Sequence, residues 1–150
     1  MTKEVLLTVS GLHYETFAEE VDEENEPIEV ITPATYYLKN GKHYVIYDEL
    51  VEGFSGSIKN RIQIDEKTNK LEMIKRGISN THMVFEKEKI HMTEYETPYG
   101  ELMIGVYTKD MQVDVQEDCI DAAVSYALDA NGEKVADCNI TIRIKANGKQ

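Results

Sequence analysis

Apolar and polar residues alternate along almost the whole chain, and this alternation constrains the fold more than any other feature. Ile120, Ala122, Val124, Tyr126 and Leu128 take every second place, with Asp121, Ser125 and Asp129 between them. After Asn131-Gly132 the pattern resumes at Cys138, Ile140, Ile142 and Ile144, against Asn139, Thr141, Arg143 and Lys145. A strand sends successive side chains to opposite faces, so a period of two means one wet face and one dry face. No stretch longer than a turn fits a helical period. Repeated from end to end, the pattern predicts an all-β fold: a single small antiparallel up-and-down β-barrel of about eight to ten strands. A barrel of that size has an interior that holds one small ligand or is filled by its own side chains.

The first strand, 3–12, turns Val5, Leu7 and Val9 inward. Asn40-Gly41 joins 28–39 to 42–51, and that dipeptide is the strongest short-range hairpin signal because both residues tolerate positive φ. A two-residue turn there pairs Leu38 with His43 and Tyr36 with Val45. It places Tyr36, Val45, Tyr47 and Glu49 on one face and Tyr37, Tyr44 and Ile46 on the other. Glycines at 53 and 56 mark a bend. Ile58, Ile62 and Ile64 then face inward, and 71–79 follows. A hairpin over 81–97 turns near Lys87-Glu88. Its Met83, Phe85, Ile90 and Met92 share one face, and His82, Val84, His91 and Thr93 the other. Strands at 101–108 and 111–116 precede the terminal pair. Bringing Ile140 and Ile142 onto the face of Ala122 and Ile120 asks for an odd-numbered loop, such as Ala130-Asn131-Gly132, which sets Cys138 opposite Val124.

The chain of 150 residues fits one domain, 1–150, and can bury about two-thirds of its unfolded surface. A net charge of −12 argues against nucleic acid and against anionic membrane surfaces, because Lys and Arg are scattered singly. The acidic run 14–27 lacks the Asp-x-Asp-x-Asp-Gly spacing of a calcium loop and reads as a solvated loop beside the barrel mouth. No apolar run approaches the roughly 20 residues that span a bilayer. Glu4 sits where a signal peptide carries positive charge, and no small-residue cleavage site follows. Cys119 and Cys138 lie far apart along their strands and read as free thiols of a reducing compartment. The expected location is the cytoplasm.

Nothing points to a cofactor or a metal. His82 and His91 lack a third ligand at suitable spacing and read as surface histidines. Ser55 and Ser57 open no nucleophile elbow, and their glycines form no phosphate loop.

Three ordered motifs stand out: Tyr44-x-x-Tyr47-x-Glu49 followed by Gly53, then Arg76-Gly77, then Tyr95-x-Thr97-Pro98-x-Gly100. With them the chain resembles the YwiB-like family of uncharacterised bacterial proteins over roughly residues 5–144. The resemblance implies a calycin-like (lipocalin-related) β-barrel and implies no activity or catalytic residue. The chain departs from the family at Asn60, where a threonine is common, and in the turn Glu86-Lys87-Glu88-Lys89, which has no glycine.

Glu49 falls on the inward face, and a buried carboxylate needs a partner. Arg76, flanked by Ile74 and Ile78, is the expected one, since its fork holds a carboxylate with two hydrogen bonds. The site expected is therefore a Glu49–Arg76 pair inside or at the mouth of the barrel, lined by Tyr36, Tyr47 and Tyr95. It serves either as a polar core contact that fixes register or as the anchor of a small, partly apolar ligand. The function expected first is non-enzymatic binding of such a ligand. The alternatives are an interaction module with a filled barrel, presenting an edge strand or Tyr37, Tyr44 and Ile46, and an enzyme using Glu49 as acid or base. The residues do not decide between a monomer and a homodimer.

Overall fold

The computed structural model describes residues 3–11, 28–50, 57–77, 80–97 and 100–146, without the side chains of 28, 95–97 and 102. The acidic run 14–27, the bend at 53–56, Ile78 and Pro98 lie outside those residues. Ten strands follow one another: β1 (Glu4–Gly11), β2 (Ile28–Lys39), β3 (Lys42–Leu50), β4 (Ser57–Asp65), β5 (Lys70–Arg76), β6 (Thr81–Glu86), β7 (Ile90–Thr97), β8 (Gly100–Val115), β9 (Cys119–Ala130) and β10 (Glu133–Ala146). They form one antiparallel sheet in the order β6-β5-β4-β3-β2-β1-β10-β9-β8-β7. Every neighbour is the next strand in sequence except β1 and β10, whose pairing from Val5↔Ala146 to Gly11↔Ile140 closes the meander on itself. The result is a nearly closed up-and-down barrel with its seam between β6 and β7. Among the described residues no helix is long and apolar enough to cross a membrane.

The alternating residues fill the interior as their period requires. Val5, Leu7, Val45, Leu71, Val106, Ile120 and Ile144 are fully buried, and Ile62, Ile64, Tyr126, Leu128 and Ile142 nearly so. Asn40 and Gly41 both take positive φ, and the turn pairs Tyr36 with Val45 and Leu38 with His43 as expected.

Two breaks in the alternation have a different cause from the one expected. The strands anticipated at 101–108 and 111–116 are one strand, β8, with a bulge between Thr108 and Asp110. Ile104, Val106 and Thr108 are buried before it, and Met111 after it. One extra residue restores the inward face without ending the strand. Likewise the last hairpin turns through two residues, Asn131 and Gly132, both at positive φ. The parity expected from an odd loop comes instead from a bulge between Lys134 and Ala136. Cys138 therefore lies opposite Tyr126 rather than Val124. Both cysteines are free, as expected.

The seam also corrects an expectation. Strands β6 and β7 share no ladder, so His82 and His91 are not cross-strand neighbours. Pairing with β8 sets His91 opposite the buried Val106, and sets Ile90 and Met92 opposite Tyr107 and Gly105 on the outer surface, where both are exposed. Met83 and Phe85 do face inward. Glu88 takes the left-handed turn position that glycine usually fills, at φ 64. Across the seam, Phe85 packs on Tyr126 with ring centroids 4.8 Å apart.

Glu86 ties the two seam strands together. It accepts hydrogen bonds from His91 Nε2 at 2.9 Å and Lys89 Nζ at 3.4 Å. The bond from His91, with help from Lys89, holds its carboxyl below the ordinary 4.5 despite some desolvation. A lowered carboxylate pKa contributes stability that is complete above the unfolded value and is lost as the pH falls through the folded one. In thermal melts taken from about pH 5 down to about pH 3, Glu86→Gln should therefore lose less stability than the parent chain. Parallel curves would show that this contact does not hold the seam.

Candidate functional site

The register of β3 to β6 stacks their inward residues in rows. Nearest the end from which β3 and β5 emerge, Glu49 stands opposite Ile58. The next row is Tyr47, Asn60, Lys75 and Thr81, each opposite its neighbour on the adjoining strand. Below it come Val45, Ile62, Met73 and Met83, then His43, Ile64, Leu71 and Phe85. A polar row across four adjacent strands thus sits directly above an apolar one. The opposite wall, from β1, β9 and β10, contributes Val9, Tyr126 and Ile140. With Glu49, the Tyr47 row, Ile62, Met73, Met83 and Phe85 they line a partly open cavity of about 180 Å³.

Two members of the polar row, Asn60 and Lys75, reach Glu49 only at long range. Asn60 is buried, and its Nδ2 donates to Glu49 Oε1 at 3.3 Å and to the Ile58 carbonyl at 3.4 Å. Lys75 Nζ lies 3.7 Å from Glu49 Oε1, an ion pair too long for a strong hydrogen bond. The Lys75 side chain is 26% exposed and that of Glu49 44%, so the carboxylate is the outer member of the pair. Thr81 is buried.

Of the five site residues expected from the sequence, Tyr47 and Glu49 line this cavity. Arg76 does not. It stands opposite Lys59 on the outer surface, among Ile46, Arg61 and Ile74, and the expected Glu49–Arg76 pair is replaced by Glu49–Lys75. The cause is parity: Leu71 and Met73 face inward on β5, so Lys75 must and Arg76 cannot. Tyr36 is buried but lies toward the opposite end, where its hydroxyl meets His43 Nδ1 at 2.8 Å. The Tyr95 backbone pairs with Leu102 in β7, and its side chain lies outside the described residues.

His43 was not anticipated, although the Asn40-Gly41 register already put it on the face of Val45. Its Nε2 approaches Glu66 Oε1 at 3.1 Å. The tautomer carrying hydrogen on Nε2 satisfies both contacts, with Nδ1 accepting from Tyr36. Burial, with a smaller effect of Glu66, pushes the Tyr36 hydroxyl pKa up. This network closes the base of the barrel and is structural in character. Asn60, Lys75 and Thr81 were also missed as lining residues. The signal for Asn60 was its place between Ile58 and Ile62 on an inward face.

Among the described residues no group of three or more potential ligands could hold a metal ion. Burial pushes the Cys138 thiol up, opposed by a hydrogen bond with Tyr126; burial and the Asp121 carboxylate push that of Cys119 up. Neither lines the cavity. The site offers a cation, a carboxylate, an amide and a hydroxyl above an apolar floor, an arrangement suited to holding a small amphiphile.

Residues 13–142 match the family described as "Domain of unknown function (DUF1934)". The chain is 27% identical over 131 residues to the uncharacterised beta-barrel protein YwiB of Bacillus subtilis (strain 168), covering 87% of this chain and 89% of that protein. It also superposes on the crystal structure of the ywiB protein from Bacillus subtilis with a TM-score of 0.75 at 22% identity, over 97% of this chain and 93% of the other.

Proposed function

This chain belongs to the DUF1934 family, and we propose that it is a non-enzymatic binding protein that holds one small, partly apolar ligand inside its barrel. The observation that carries this reading is the row Tyr47, Asn60, Lys75 and Thr81 lying inside the barrel, next to a cavity of about 180 Å³. Polar groups at inward positions of strands otherwise built from Ile, Leu and Met cost stability unless they are paired. The contacts of Asn60 and Lys75 with Glu49 are long, which suits groups that complete their bonding with a guest. Two free cysteines support action in a reducing cytoplasm.

The cavity is smaller than the 300–1,000 Å³ common for drug-sized ligands. The guest is therefore compact. Filling the space tests the reading: Met83→Trp should fold and lose the bound molecule. Retention of the same ligand by that variant would place the binding elsewhere.

A second reading rests on a separate observation. Ile90, Met92 and Met103 are exposed together on the outer surface around Gly105, on and beside the unpaired edge of β7. An apolar patch at an open edge suits strand addition by a protein partner.

A further inference from the structure

We infer that Glu49 occupies the place of a ligand carboxylate, so that the guest is a small monocarboxylic acid whose head displaces Glu49 from Lys75 and Asn60. This rests on the binding reading above and names the chemistry of the head group.

The argument begins with the donors. In the polar row, Lys75 brings an ammonium and Asn60 an amide, and both approach one carboxylate oxygen, with Thr81 beside Lys75 in the same row. That carboxylate is Glu49, at 3.3 Å from Asn60 and 3.7 Å from Lys75. Charge-assisted bonds to a well-placed carboxylate are shorter, about 2.7–2.9 Å. Glu49 reaches the donors from the rim and does not settle among them.

Glu49 is also free to leave. It lies next to Leu50, which is 84% exposed at the end of β3, and its own side chain is nearly half in water. Swinging outward costs it little solvation. A guest carboxylate that replaces it sits deeper, beside the less exposed Lys75, where the surrounding dielectric is lower and the attraction stronger. The same move keeps Lys75 paired throughout, so no buried charge is left alone.

Charge and size narrow the class further. With a net charge of −12 the whole molecule repels anions, and a dianion more than a monoanion. One lysine suits a carboxylate better than a phosphate monoester. An amine head is disfavoured by the neighbouring Lys75. Met73, Met83, Ile62 and Phe85 leave room for a compact apolar group below the head.

The test is calorimetric titration of the full chain with three probes that share a six-carbon chain: hexanoate, hexan-1-ol and hexylamine. Hexanoate should bind at least about tenfold tighter than either of the others. Lys75→Met should remove that advantage, and a circular dichroism melt close to that of the parent chain reports that the variant is folded. Glu49→Gln should tighten hexanoate a few-fold, because a competing carboxylate has gone. Equal affinity for hexanoate and hexan-1-ol, tightest binding of hexylamine, or weaker hexanoate binding in Glu49→Gln would overturn the inference while leaving a binding barrel in place. Failure of all three probes to bind would overturn the binding reading itself and this inference with it.

Discussion

Tyr126→Ala is expected to lower stability by about 3–5 kcal/mol, the range for deleting a large buried aromatic side chain. Tyr126 is 1% exposed, packs on Phe85 across the seam and bonds with Cys138 on the next strand. It joins β9 to both the open edge and the closing wall. For a domain of this length each kcal/mol shifts the melting temperature by about 2–4 °C, so a fall on the order of 10 °C is expected. Tyr126→Phe keeps the ring contact and loses the hydroxyl, and should cost only about 1 kcal/mol. Circular dichroism melts of the two variants check the division. A loss below about 1 kcal/mol in the alanine variant would show that the seam does not depend on this contact.

The second large effect is expected at Gly11. This residue ends β1 with its missing side chain on the inward face, opposite Ile140. A Cβ there would collide with the Asn139 carbonyl oxygen and lie 3.0 Å from the Ile140 Cα, so the obstacle is backbone and cannot rotate away. Gly11→Val should therefore part β1 from β10 at the cavity end and cost about 1–3 kcal/mol or more. Those strands close the barrel, so the effect should extend to ligand binding. Ser10→Val is the control, one residue earlier and on the outer face, with an expected change within about 0.5 kcal/mol. Equal melting temperatures for Gly11→Val and Ser10→Val would contradict the close approach.

The fold was legible because period-two alternation survives in nearly every strand and Asn-Gly dipeptides fix two of the turns. The hairpin at Asn40-Gly41 was legible down to its register, and from it the inward place of Glu49 followed. What the sequence hid were the bulges. Lys109 and Val135 each insert one residue into a ladder, and a single inserted residue leaves no mark in composition. The break at Lys109 therefore looked like a turn, and the one at Val135 looked like an odd loop. The choice of Arg76 over Lys75 failed for a related reason. Strand β5 carries apolar residues on both faces, since Ile74 is 6% exposed on the outer one. Arg76 between Ile74 and Ile78 looked inward, while Lys75 looked like the solvent side. Only pairing with β4, which places Asn60 opposite Lys75, decides the face. At the seam, Ile90 and Met92 looked like core because hydrophobic character cannot distinguish an interior from an exposed patch.

The central claim, that the barrel holds a small guest between the Lys75 row and the Met83 floor, is tested most directly by mass. Protein purified without denaturant is weighed under native conditions and again after denaturation, beside Met83→Trp handled identically. A small releasable mass on the parent chain, absent from the variant, is the predicted result. Its fragmentation would identify the head group. The same added mass on both proteins, or a parent chain that carries none and binds none of the three six-carbon probes, would contradict the account.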